Sequence, residues 1–276
     1  MSKNETRTSV RVTVKMAREF LDSRVAKQRR IGARHVAELA DAMLNGRWIY
    51  NGESIKIDKT GAMIDGQHRC AAGIKARKAF YTDIVYGLPE EAYKTVDQKA
   101  KSRSASDVLT INGEKSTRSL ASALAWNIAY NTGKLVKTGK QWLVSPDAQQ
   151  IEAELTANPK IKESVIVGRM CKGMLGGGPA AFLHYRFSLK DQPLADWFFH
   201  QFSTGENLPS NSPILLLRNW FLEDRIQNKA KLPMGEKIAS VIKTWNLIRK
   251  SVKTKKRAFI KWRSGGNAPE KFPIII

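Results

Sequence analysis

Residues 51–76 read N-G-E-S-I-K-I-D-K-T-G-A-M-I-D-G-Q-H-R-C-A-A-G-I-K-A. From Ser54 to Asp58 apolar and polar residues alternate, the two-residue period of a half-buried strand. Lys59, Thr60 and Gly61 supply turn chemistry, and Ala62-Met63-Ile64 begins a second apolar run that stops at Asp65-Gly66. From Arg69 to Ala76 the residues are helix formers, with small side chains on one face. Asp65, Gly66, Gln67, His68 and Arg69 therefore occupy a tight strand-to-helix junction. The first backbone N–H groups of a helix lack an internal partner and carry partial positive charge, so such a junction can hold phosphate. Gly66 permits close backbone approach, Arg69 adds a bidentate cation, and His68 adds a donor or a titratable base. The plainer alternative is a capping Asp65, a turn at Gly66 and a solvated first turn. An Arg at a helix start opposes the dipole, which favours an anion as its reason for being there.

Outward from this junction, Val10 to Val14 alternates as a strand, and Ala17 to Arg24 is a short helical stretch. Ala33 to Leu44 places Val36, Leu39, Ala40 and Met43 at helical spacing and stops at Gly46. Tyr81 to Tyr86 is a further strand, and Pro89 is suited to the first position of a helix. This order predicts an α/β domain over residues 1–100. Lys99 to Ser106 is small, polar and basic, and reads as a linker or phosphate-facing loop. Residues 101–276 are then helical almost throughout, with helices predicted over Leu120 to Ile128, Ala148 to Ala157, Ile161 to Met170, Ala180 to Leu189, Leu194 to Phe202, Ile214 to Ile226 and Ile238 to Ile248. The fold class expected is α+β, an α/β domain followed by a mostly α-helical one.

The 276 residues carry a net charge of +22, far from the near balance of an ordinary soluble domain. Such an excess implies an anionic partner, nucleic acid before a membrane surface. No apolar run reaches transmembrane length and Met1 to Thr8 has no signal-peptide core, which predicts a cytoplasmic protein with no membrane partner. Two cysteines, Cys70 and Cys171, fit a reducing compartment, and the four histidines lack zinc-ligand spacing, so no metal site is expected.

The stretch I-D-G-Q-H-R-C-A-A resembles the signature turn of the ParB/sulfiredoxin superfamily, in which a G-x-x-R turn opens a helix and holds nucleotide phosphates. Q-R-R-I-G-A-R-H-V-A-E-L-A-D-A-M-L-N-G-R-W looks like that superfamily's arginine-then-helix segment. T-V-D-Q-K-A-K-S-R-S-A-S-D-V-L and the closing W-N-L-I-R-K-S-V-K-T-K-K-R-A-F-I-K-W-R-S-G-G resemble segments of phage and prophage ParB-like proteins. The helix-turn-helix and dimerisation segments of chromosome-partitioning ParB are not evident. The resemblance implies a ParB/sulfiredoxin-like N-terminal domain in a bacterial or phage protein. It implies a nucleoside triphosphate, ATP or CTP with Mg²⁺, held by Gly66, Gln67, His68, Arg69 and one of Arg29 and Arg30. It also allows a homodimer. Whether the nucleotide is hydrolysed or only bound stays open. One alternative is a nuclease or phosphotransferase, with His68, Arg69, Glu53 and Asp65 as its catalytic set. The other is a non-enzymatic DNA-binding or inhibitory accessory protein.

Cys70 follows Arg69, whereas the reactive sulfiredoxin Cys precedes its Arg by two residues, a place held here by Gln67. Cys70 is accordingly read as a helix-packing residue. Gly176-Gly177-Gly178-Pro179 lacks the G-K-[ST] ending of a phosphate loop and reads as a flexible helix connection. From Arg249 to Lys271 nine Lys or Arg stand against one acid, Glu270. That imbalance marks a DNA-binding patch, with Lys253, Lys255, Lys256, Arg257, Lys261 and Arg263 as phosphate contacts. Trp262, between two cations, is a candidate base-stacking residue whose alternative is a place in the core.

Overall fold

The valine alternation near the N-terminus draws Glu5–Val12 into strand β1. The strand ends before Val14 because Thr13 caps the next helix, its Oγ1 accepting the Met16 N–H at 3.2 Å. Val14 thereby becomes the first residue of α1 (Val14–Asp22) rather than the last of the strand. Helix α2 (Ala33–Leu44), β2 (Ser54–Asp58), β3 (Met63–Asp65), α3 (Gln67–Ala76) and β4 (Phe80–Leu88) follow. Pro89 does not open an α-helix; it precedes a 3₁₀ turn over Glu90–Lys94. The computed structural model describes residues 5–25, 30–96, 103–135, 145–227, 232–263, 265 and 269–276.

The chain is mixed α/β and divides into two units, Met1–Ser102 and Arg103–Ile276. In the first, the sheet order is β1-β4-β2-β3, with β4 antiparallel to β1 and parallel to β2. Strand β3 closes antiparallel on the free side of β2. One face of this sheet (Val12, Ile55, Ile57, Phe80, Ile84) shares a core with Ala17 of α1, with Val36, Ala40 and Met43 of α2, and with Cys70, Ala72 and Ala76 of α3. Side chains alternate across a strand, so Arg11, Ser54, Lys56, Tyr81 and Asp83 belong to the opposite face. The register pairs Arg11 with Tyr81, Ser54 with Asp83, and Lys56 with Asp65.

The second unit holds α4 (Ala105–Ile111), α5 (Thr117–Asn131), α6 (Ala148–Ala157), α7 (Ile161–Met170), α8 (Gly177–Ser188), α9 (Gln192–Thr204), α10 (Pro213–Ile226) and α11 (Met234–Arg249). Helix α4 starts inside the stretch read as a linker. Ser104 and Asp107 form a reciprocal capping box that turns small polar residues into a helix start. The glycines before Pro179 are likewise not a loose connection. Gly177 and Gly178 form the first turn of α8, and a Cβ on Gly178 would overlap the Ser122 side chain of α5. A Cβ on Gly168 would overlap the Gly177 carbonyl oxygen, so bare backbone lets α5, α7 and α8 approach closely. Behind them lies an aromatic core of Phe182, Phe187, Phe198, Phe199, Phe202, Phe221 and Trp245, all fully buried. The Phe187 and Trp245 rings stack with centroids 4.2 Å apart. Each such side chain contributes about 1.5–3 kcal/mol by leaving water.

Beyond α11 the described residues form a 3₁₀ turn over Arg257–Phe259, are otherwise irregular, and are anchored. Ile260, Trp262 and Ile275 are buried, Trp245 donates its indole N–H to the Ile276 carbonyl at 3.0 Å, and Asn246 Nδ2 donates to the Ile274 carbonyl at 2.8 Å. Lys243 of α11 donates to the Lys261 carbonyl and to Glu270.

Candidate functional site

The strand-to-helix junction is built as much for packing as for exposure. Gly66 has φ +105°, and a Cβ there would lie 2.8 Å from Cγ1 of Ile55. Its missing side chain makes room for β2. Gly66 and Gln67 are both buried, so the accessible part of the turn is His68 and Arg69. Ile55 of β2 lies against Gly66, and the Gln67 side chain is turned into the core, so any part they take in holding a ligand falls to their backbone.

Arg69 is also not the solvated charge that a helix start would suggest. Its side chain is only 13% exposed, and Nη2 donates to the Ser54 carbonyl at 2.8 Å. The guanidinium lies 3.5 Å from Glu53 through Nη1 and 3.5 Å from Asp65 through Nη2. Asp65 is held more closely by Lys56, at 2.8 Å. Arg69 thus ties the head of β2 to the end of β3, and one of its edges faces the exposed Glu53. Asp65 is engaged by two cations, which suits it to anchoring the turn rather than to moving protons.

His68 sits where two helices begin. Its Nε2 accepts the Gly32 backbone N–H at 3.0 Å, and its ring lies 5.2 Å from that of His35. An Nε2 that accepts a hydrogen bond places the neutral ring's proton on Nδ1. Gly32 is the N-cap of α2, and neither α2 nor α3 has a side-chain cap or an acid in its first turn. Residues 32–35 are exposed, so the open helix start is that of α2, beside the turn read from the sequence. Arg30, two residues before Gly32, is exposed; Arg29 lies outside the described residues. His35 faces Glu38 at 3.7 Å and Arg34 pairs with Glu38 at 3.0 Å. In sequence, Arg30 and Arg34 stand two residues either side of Gly32, and Arg69 follows His68. The involvement of α2 was visible only as a basic run before a helix, and His35 carried no sequence signal.

Cys70 is fully buried, and burial pushes its thiol up to about 12. A thiol so placed packs rather than reacts. Among the described residues no group of three His, Cys, Asp or Glu side chains is placed to hold a metal ion.

In the C-terminal segment, Lys253, Lys255, Lys256, Arg257, Lys261 and Arg263 are all exposed. Arg257 pairs with Glu223 at 2.7 Å and Arg263 with Glu270 at 3.4 Å. Burial of Ile260, Trp262 and Ile275 on the other side turns the lysines outward along an anchored strap. Trp262 does not join them. It is 6% exposed, donates its N–H to the Glu270 and Lys271 carbonyls at 3.2 Å, and meets Phe272 edge-on, which leaves no open ring face for a base. No helix among the described residues is long and apolar enough to cross a membrane. Comparison of the chain with protein-family models, with curated proteins and with solved structures found no match.

Proposed function

We propose that this chain is a ParB-like nucleotide- and DNA-binding protein of bacterial or phage origin. A nucleoside triphosphate is held through its phosphates where α2 and α3 begin, and DNA lies along the C-terminal strap. The observation that carries the first half is the meeting of two helix starts at His68, with no side-chain cap and no first-turn acid on either. Helix starts of this kind favour anions, and exposed Arg30 lies two residues before the Gly32 cap. The residues fit a phosphate through His68, Arg30 and the exposed first turn of α2. Mg²⁺ would arrive on the ligand's own phosphates, since no set of three protein ligands converges among the described residues.

The second half rests on charge and its display. Residues 101–276 carry 28 Lys and Arg against 13 Asp and Glu, and the strap turns Lys253, Lys255, Lys256 and Lys261 to solvent. Backbone-dominated binding of this kind weakens steeply with salt as counterion release loses its drive.

Calorimetry with ATP, CTP and GTP in the presence of Mg²⁺, on the wild type and on Arg30→Ala and His68→Ala, tests the nucleotide site. Loss of one charge-assisted contact should weaken binding about ten-fold or more. Absence of binding by the wild type would sink the nucleotide half and leave a nucleic-acid phosphate as the anion for this corner. Multiple-turnover phosphate release separates hydrolysis from binding alone.

A further inference from the structure

The geometry points to a single-stranded nucleic-acid site on the uncovered face of the sheet, where β2 and β4 begin, with bases stacking on Tyr50 and Tyr81. It rests on the nucleic-acid half of the reading above and assigns a second contact surface to it. Tyr81 is 49% exposed and belongs to the face that α1, α2 and α3 leave open. Tyr50, 42% exposed, donates its hydroxyl to Asp83 Oδ1 at 2.6 Å, and Asp83 lies two residues from Tyr81 on the same side of β4. The Ser9 N–H donates to the same oxygen at 2.8 Å. Tyr50 is therefore fixed at its hydroxyl over the face that Tyr81 occupies, with ring surface still open. Ile49 between Trp48 and Tyr50 is 65% exposed, so the apolar surface is contiguous in the chain. Trp48 clamps this segment to β4, donating to the Tyr81 carbonyl at 3.0 Å while its ring meets Phe80 edge-on.

A lone exposed tyrosine is ordinary. Two at one end of one sheet, one of them immobilised, lose little entropy on receiving a flat partner. The charges around them are those a phosphate backbone needs. Arg11 is exposed and in register with Tyr81, and exposed Arg77 and Lys78 lead into β4. Of the nearby carboxylates, Glu53 lies 3.5 Å from Arg69, while Asp83, which accepts from Tyr50 and Ser9, keeps its charge and is outnumbered by Arg11, Arg77 and Lys78. Rings for bases and cations for phosphates are the two ingredients of single-strand recognition, whereas bases inside a duplex are already stacked on one another. The backbone of β2 links this surface to the helix-start site. Arg69 donates to the Ser54 carbonyl, and Ser54 is the register partner of Asp83.

The test is fluorescence anisotropy with a labelled oligothymidylate and a labelled duplex of equal length, on full-length wild type, Tyr81→Ala, Tyr50→Phe and Tyr50→Ala/Tyr81→Ala. Tyr81→Ala should lose about ten-fold in single-strand affinity, the share of one stacked base, and the double variant more. Duplex affinity should stay within about two-fold in both, because phosphate contacts are untouched. Tyr50→Phe keeps a ring but frees it from Asp83, so its single-strand affinity should fall between those of the wild type and the double variant. If the double variant does not fold, Tyr81→Ala decides alone, since no side-chain hydrogen bond of Tyr81 is lost. Wild-type single-strand affinity in a folded Tyr81→Ala overturns the proposal and leaves the face to a protein partner. If strap lysine substitutions then still weaken duplex binding, the DNA reading survives that failure. If the wild type binds neither oligonucleotide, both fall.

Discussion

At Gly66 two constraints coincide, a φ of +105° and Ile55 lying across the place of a side chain. Gly66→Ala should cost about 2–4 kcal/mol in urea unfolding, from backbone strain together with displacement of Ile55. A loss below about 1 kcal/mol would mean that β2 yields easily and the glycine has another reason. Arg69 makes the opposite point to its place in the sequence. Because its guanidinium joins Ser54, Asp65 and Glu53, Arg69→Ala should destabilise by about 2 kcal/mol. Exposed Arg30→Ala should leave the unfolding midpoint unchanged. His184, on α8, is buried between Ser164 of α7 and Asp196 of α9, at 2.8 Å from each, with Phe199 edge-on. Burial, partly offset by Asp196, lowers its pKa from the ordinary 6.5. The unfolded chain therefore binds the proton first as pH falls below that value, and stability drops through the window down to the folded pKa. Urea midpoints at about pH 7.5 and about pH 5.5 should differ in the wild type, and the difference should shrink in His184→Gln. An unchanged pH dependence in that variant would mean other groups set it.

At the scale of elements, the strap after α11 separates structure from function cleanly. Trp262→Ala should cost about 3 kcal/mol or more as a large buried side chain and lower DNA affinity only through unfolding. Replacing Lys253, Lys255, Lys256 and Lys261 together by Gln should do the reverse. The melting temperature should hold, while duplex affinity falls and its salt slope flattens by roughly one per lost phosphate contact. A quadruple variant that binds with the wild-type salt slope would move the DNA surface elsewhere. Helix α8 shows how a glycine run can be misread. Gly-Gly-Gly-Pro has the composition of a hinge, but close approach of Ser122 and Gly168 demands bare backbone at the same positions. Gly178→Ala should therefore destabilise by about 3 kcal/mol through overpacking, where a true hinge would gain.

For the whole molecule, regular periodicity was the legible part. The bounds of α2, β2, α6 and α7 follow from apolar spacing, with Gly46 stopping α2 and Lys59 to Gly61 turning the chain after β2, and the mixed α/β character follows from their order. Capping was less legible. Thr13 took Val14 out of a strand, and Ser104 with Asp107 made a helix from what composition marks as linker. The candidate site was legible as an address and not as a geometry. I-D-G-Q-H-R marked the corner, but which groups are buried there depends on Ile55 and Gly32, distant in sequence and invisible to a local motif. The outward lysines of the strap and its inward Trp262 have nearly identical sequence surroundings. Only the path of the chain over α11 distinguishes them.

The two cysteines divide between the two units, one in each, and both are fully buried with thiols pushed up to about 12. Neither can meet a thiol reagent until its own surroundings open. Each unit thus carries a chemical clock: the labelling rate of Cys70 times the opening of the sheet unit, and that of Cys171 the opening of the helical unit, within a single unmodified chain. Mass spectrometry of pulse-alkylated peptides would read the two clocks separately, and a ligand for one unit would slow one of them.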